Sequence, residues 1–190
     1  VHVYKTTDAL DGKPHIAYYL IADLDDRQLT FTVDTTYQRR LTPSGFYEKN
    51  RQPILVVNTT FFSFATNQNL NLVIRNKKLL GYNIHTINGR GKDTFTYRHP
   101  LASAIGISKK RKADIAWLYT DSSDRYAYAY QDAVPAWKDS SVSFSRETAI
   151  RSIQRSWPAG VKKRLDFSPW KMKTAVGGGP VLVQNGEIRI

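Results

Sequence analysis

Three consecutive glycines, Gly177-Gly178-Gly179, follow the apolar stretch Lys173–Val176 in this 190-residue chain. Glycine loses more backbone entropy on ordering than any other residue. A run of three therefore suggests backbone that must approach something closely. A plain glycine-rich turn is the other reading, because Asn185-Gly186 between Val181/Val183 and Ile188/Ile190 is a strong hairpin signal. A second group is Asn58-Thr59-Thr60-Phe61-Phe62, placed directly after the apolar run Pro53–Val57. Polar side chains at the end of a buried strand need hydrogen-bond partners, which a ligand or the local backbone can supply. A third candidate is His85, in the polar segment Asn83–Gly89, which can line a site or serve the structure alone.

Several chemistries are excluded. The chain has no cysteine, so disulfides, thiolate nucleophiles and Cys-ligated zinc are absent. No P-loop, G-x-G-x-x-G or G-x-S-x-G motif occurs. His2, His15, His85 and His99 show no metal-binding spacing, and no metal is assigned. Asp23, Asp25 and Asp26 resemble a paired-carboxylate site on paper, but in turn chemistry they are expected to be solvated or to close Asx turns. Asn58-Thr59-Thr60 matches the N-glycosylation sequon, and its expected place at the end of a buried strand argues against its use. The net charge of +12 suits an anionic partner. The basic residues are dispersed, with the densest cluster at Lys109-Lys110-Arg111-Lys112, which reads as a solvated β-turn or a phosphate-contacting loop. No run of 18 apolar residues exists, so no membrane-spanning helix is expected.

The elements that must position these residues read as strands. His15–Leu24 and Gln28–Thr35 are expected to form an antiparallel hairpin around Asp23–Arg27. Thr42-Pro43-Ser44-Gly45 opens a short helix through Lys49. Pro53–Val57 reads as a central strand buried on both faces. Asn69–Leu80 forms a strand pair turning at Arg75-Asn76-Lys77-Lys78, and Leu101–Ser108 pairs with Ala113–Thr120 across the basic turn. Tyr126, Tyr128 and Tyr130 share one face, as packing or as a sugar platform. Ser145–Leu165 carries the principal helical region, capped by Ser145 and broken at Pro158, with a second short helix over Gly160–Arg164 that exposes Lys162 and Lys163. The fold class is α+β: an antiparallel or mixed sheet with one principal helical region, in one domain.

Four of these features, in this order and spacing, resemble the phosphodiester glycosidase domain family. They are the early hairpin Tyr18–Val33, the strand ending Val57-Asn58-Thr59-Thr60-Phe61-Phe62, the strand Leu101–Ile107 with its Ala104-Ile105-Gly106-Ile107 ending, and Gly177-Gly178-Gly179-Pro180-Val181-Leu182-Val183-Gln184-Asn185-Gly186. The family pattern has glycines where Thr59 and Thr60 stand. The resemblance implies an extracytoplasmic hydrolase that releases a sugar from a sugar-1-phosphodiester. It makes Asn58, Thr59, Thr60, Phe61, Phe62, His85, Gly177, Gly178 and Gly179 the expected substrate-binding residues, and an anionic carbohydrate the expected partner. It also implies that residues 1–190 are the N-terminal part of a domain continuing beyond Ile190, whose catalytic acid and base are not among these residues; no cofactor is assigned. The alternative is a non-catalytic glycan- or polyanion-binding domain on the same scaffold. A nucleic-acid partner is disfavoured, because no recognisable binding module is present.

Overall fold

A computed structural model describes residues 1–37, 39–161 and 164–189 of the chain. The chain forms two compact units, Val1–Thr30 and Phe31–Ile190. In the first unit, β1 (His2–Thr6) pairs antiparallel with β2 (Ala17–Ile21), in register from His2 opposite Ile21 to Thr6 opposite Ala17. The expected hairpin of His15–Leu24 with Gln28–Thr35 does not form. Residues 28–35 keep their alternation of burial, with Leu29, Phe31 and Val33 half-buried and Thr30 and Thr32 exposed, but they join no ladder. The physical reason lies in the intervening turn. Asp23 Oδ1 accepts from Asp25 N–H (2.8 Å) and Asp26 Oδ1 from Gln28 N–H (2.9 Å), giving two successive Asx turns that do not return the chain in hairpin register.

The second unit begins with α1 (Pro43–Lys49), capped by Thr42 Oγ1, which accepts from Gly45 N–H (3.1 Å). The strands that follow are β3 (Val73–Arg75), β4 (Lys78–Gly81), β5 (Ile87–Asn88), β6 (Tyr97–His99), β7 (Ala102–Ser108), β8 (Ala113–Tyr119), β9 (Tyr128–Tyr130) and β10 (Trp137–Asp139). Then come α2 (Arg146–Arg155), β11 (Ser168–Pro169), β12 (Met172–Gly177), β13 (Val183–Gln184) and β14 (Glu187–Ile188). Seven strands form one curled antiparallel sheet in the order β11-β9-β8-β7-β12-β3-β4. A three-stranded sheet runs β10-β6-β5, and β13 pairs with β14 alone. The α+β class expected from sequence is the one observed.

The turns follow their residue chemistry. Asn76-Lys77 between β3 and β4, with φ of 50° and 67°, and Asn185-Gly186 between β13 and β14, with φ of 53° and 80°, have the paired positive φ of two-residue hairpins. Period-two alternation then divides the core. Ala116 and Leu118 of β8, with Ala127 and Ala129 beside and within β9, pack in one cluster with Leu72, Ile74 and Trp170. The intervening Tyr119 and Tyr130 pack in a second cluster with Leu101 and with Ala149 and Ile153 of α2. The tyrosine face is thus packing: Tyr130 Oη accepts from Trp157 Nε1 (3.0 Å), and Tyr128 lies against Phe167.

Pro53–Val57 is not a central strand. Ile54 is 75% exposed and Val57 62%, and neither joins a ladder. β12 occupies the central slot between β7 and β3, and Pro53 offers no N–H to a neighbour. The helical region is also shorter than expected. α2 ends at Arg155, and Pro158–Val161 is a turn with Gly160 at φ +80°. The expected helix over Gly160–Arg164 is therefore not entered at its start, and Lys162 and Lys163 lie outside the described residues.

Candidate functional site

Antiparallel pairing gathers the candidate residues at one end of the seven-stranded sheet. β8 delivers Thr120 and Asp121 there, and β12 delivers Gly177–Gly179. The same end receives β7 after His99-Pro100, β3 after Asn71-Leu72, and the exit of β4 at Gly81. The chain leaving β4 crosses this end and fastens it. Asn83, 5% exposed, accepts from Leu72 N–H through Oδ1 (2.8 Å) and donates through Nδ2 to the Leu118 carbonyl (3.2 Å). Its own N–H donates to Thr120 Oγ1 (2.9 Å). One amide thereby ties β3 to β8, which are three places apart in the sheet order.

The glycines differ in why they are glycine. None has left-handed φ. A Cβ on Gly177 would lie 2.6 Å from Asn71 Cβ and 3.0 Å from Leu72 N, so packing requires glycine there; its N–H donates to Leu72 O (2.7 Å). A Cβ on Gly178 would meet only the Thr59 carbonyl, at an ordinary 3.7 Å, and one on Gly179 would meet nothing within 4 Å. Gly178 N–H donates to Ser103 O (3.3 Å), and Ser103 Oγ donates to Gly179 O (2.8 Å). The described fold gives no steric or torsional reason for glycine at 178 or 179.

Thr59 is the neighbour of Gly178, so the structure brings together two of the groups singled out from sequence. The link runs through Asn71, whose Cβ abuts Gly177 and whose Oδ1 accepts from Phe61 N–H (3.1 Å). Asn69 Nδ2 in turn donates to the Asn71 carbonyl. Asn58 and Thr59 are exposed and Thr60 is half-buried, while Phe61 is 60% and Phe62 41% exposed. The burial argument against the sequon at Asn58 therefore falls. Arg40 holds the aromatic loop: its guanidinium lies 5.3 Å from the Phe62 ring and 4.8 Å from Phe64, and it donates to Asn67 Oδ1 (2.7 Å) and Phe64 O (2.8 Å).

His85 sits apart from these groups. Its Nε2 lies 2.9 Å from the Thr120 carbonyl, 3.2 Å from Thr120 Oγ1 and 3.1 Å from Thr120 N. Its ring stacks on Tyr119 at 4.9 Å. Among the described residues no hydrogen bond or ring contact joins His85 to Asn58–Phe62 or to the glycines. It reaches them only through Thr120, Asn83 and Leu72. Burial lowers its pKa, against the opposing pull of the Thr120 and Pro100 carbonyls and of Asp121. Tyr119 is pushed up to about 12 by burial and then by Asp121. Asp121 is held low by Ser123, whose Oγ and N–H donate to its Oδ1 (2.6 and 2.8 Å), and is ionised at neutral pH.

Sequence reading missed three polar residues of this end, Asn71, Ser103 and His99, and met Asn83 only as the first residue of the polar segment Asn83–Gly89. His99 is 1% exposed, with Nδ1 2.9 Å from His85 O and Nε2 3.0 Å from Ser141 O, and it stacks on Phe144. Their partners are 10 to 76 residues distant, so no local pattern marks them, although asparagine recurs at 69, 71 and 83. No group of three or more His, Asp or Glu able to hold a metal ion occurs among the described residues, and no helix among them is long and apolar enough to cross a membrane. Comparison of the chain with family models, with curated protein sequences and with solved structures finds no match in any of the three.

Proposed function

We propose that the end of the sheet carrying Gly177–Gly179 and Asn58–Phe62 binds the phosphate and sugar of a sugar-1-phosphodiester, in a hydrolase of the phosphodiester glycosidase kind working outside the cytoplasm. The observation that carries this reading is the pair Gly178–Gly179. Two adjacent glycines cost backbone entropy, and neither packing nor φ requires them. A ligand that must touch backbone does require them: Ser103 O takes the Gly178 N–H (3.3 Å), and the Gly179 N–H with the bare Cα surface of both residues can meet phosphate oxygens without a side chain in the way. The neighbouring Thr59 and Asn58 offer hydroxyl and amide groups to a sugar, and the exposed Phe61 and Phe62 rings, steadied by Arg40, offer an apolar wall.

Release of the sugar requires an acid or base at the anomeric centre besides this cradle. Asp121 and His85 stand at the same sheet end, close enough for their charges to act on each other, but the bonds of His85 to Thr120 are those of a structural histidine. No nucleophile is assigned. The test is titration calorimetry with a sugar 1-(methyl phosphate), together with an assay for free sugar, on the wild type and Asn58→Ala. Binding that weakens at least several-fold in Asn58→Ala supports the reading. Binding without sugar release favours a glycan-binding domain on the same scaffold. No binding by the wild type removes the proposal.

A further inference from the structure

The basic residues dispersed in sequence converge in space. The end of the sheet opposite the glycines is built from three neighbouring strand connections. The β7–β8 turn carries Lys109, Lys110, Arg111 and Lys112. Met172 pairs with Ser108, so Lys171 at the start of β12 stands beside that turn. Thr174 pairs with Arg75, and Lys77 N–H donates to Lys173 O (2.9 Å), so the β3–β4 turn with Lys77 and Lys78 lies on the other side of β12. With about 4.8 Å between neighbouring strands, these connections form one continuous front. The six residues of β12 separate it from Gly177 by about 20 Å at ~3.4 Å per residue.

The acidic groups nearby are already engaged. Asp34 is paired with Lys49 (2.7 Å) and Arg75 (2.8 Å), and Asp114 accepts from Trp170 Nε1 (2.6 Å) and Gln131 Nε2 (3.3 Å). Asp132 lies past β9, one strand further out. Lys77, Lys78, Lys109, Lys110, Lys112 and Lys171 are all exposed.

We propose that this front docks on a membrane surface rich in anionic lipid headgroups. The chemistry favours lipid over nucleic acid. The cations are mostly lysine, a hydrated point charge, rather than the arginine fork that grips individual phosphates. They lie exposed on neighbouring strand connections at one end of the sheet, where one lipid surface can meet them together. Of the rings beside these turns, Trp170 is 5% exposed and Phe31 lies under the Arg111 guanidinium at 5.6 Å, so neither is presented for base stacking. A lipid surface needs only such a cluster, each basic residue near it strengthening binding roughly five-fold. The inference is independent of the glycine site.

The experiment is co-sedimentation with vesicles of phosphatidylcholine containing 0 to 40% phosphatidylglycerol, at about 50, 150 and 500 mM NaCl. One variant carries Lys78→Gln, Lys109→Gln, Lys110→Gln and Lys171→Gln. A control carries Arg39→Gln, Arg90→Gln, Lys92→Gln and Arg151→Gln. Wild-type binding is expected to rise with anionic lipid and fall with salt. The first variant should lose about 10²–10³-fold in partitioning, from the five-fold per residue, and the control far less. Equal loss in both variants, binding to pure phosphatidylcholine, or no wild-type binding at about 50 mM salt overturns the proposal. So does displacement of the vesicles by duplex DNA at equal phosphate concentration, which would make nucleic acid the partner. The salt and lipid series on the wild type decides the matter even if a variant fails to fold.

Discussion

Replacing Asn83 by alanine tests how the glycine-bearing end of the sheet is held. The side chain satisfies two groups on different strands, the Leu72 N–H at 2.8 Å and the Leu118 carbonyl at 3.2 Å, and Leu72 and Leu118 are both 0% exposed. Asn83→Ala strands one buried donor, the Leu72 N–H, and removes a second bond from the Leu118 carbonyl, which β8 also pairs with its neighbours. The stranded group costs about 1–3 kcal/mol and the lost bond about 1 kcal/mol, so the expected loss is about 2–3 kcal/mol. The backbone bond from Asn83 N–H to Thr120 Oγ1 survives the substitution. With a urea m-value of about 2 kcal/mol/M, the unfolding midpoint should fall by about 1–1.5 M. Hydrogen exchange should rise first at the Leu72 and Thr120 amides, because β3 and β8 lose their direct tie. A midpoint shift below about 0.5 M would refute the assignment of Asn83 as the fastening of the sheet end.

His85 has a folded pKa below its unfolded value, so its contribution to stability is present above about 6.5 and is lost as pH falls toward the folded value. Wild-type stability should decline as pH falls below about 6.5, with a slope of up to about 1.4 kcal/mol per pH unit, and His85→Gln should flatten that decline; equal slopes would contradict it. Asp34 is held below its usual value: burial raises it, but the hydrogen bonds from Lys49, Asn50 and Thr35 N–H outweigh that. Its contribution is therefore present above about 3.8 and is lost as pH falls through the folded value, and Asp34→Asn should cost about 1–3 kcal/mol at pH 7 in a urea titration. Gly177→Ala forces a Cβ to 2.6 Å from Asn71 Cβ and should cost about 1–3 kcal/mol by thermal melting.

Local chemistry was legible in the sequence, and long-range pairing was not. Asn76-Lys77 and Asn185-Gly186 lie where turn residues placed them, Ser145 caps the helix it was expected to cap, and the short helix expected to open at Thr42–Gly45 forms with Thr42 as its cap. The long strands β7, β8 and β12 were readable from Leu101–Ser108, Ala113–Thr120 and Lys173–Val176. Pro53–Val57 carries the same composition but is exposed, because composition does not say which of several apolar runs wins a slot in the sheet. β5, β6 and β10 have two or three residues each, too few to show a period. At the site, the nearness of Thr59 to Gly178 follows the grouping made from sequence, whereas His85 turned out to serve Thr120. The convergence of the lysines rests on the order β8-β7-β12-β3-β4, which no local signal encodes.

The central claim is that Gly178 and Gly179 are glycine for a ligand and not for the fold. Gly179→Val measures it with two readouts on one protein, thermal stability and affinity for a sugar 1-(methyl phosphate). The open space at Gly179 predicts stability within about 0.5 kcal/mol of wild type. The ligand role predicts affinity at least ten-fold weaker, about 1.4 kcal/mol. Unchanged affinity in a stable variant, or a large loss of stability, would contradict the account.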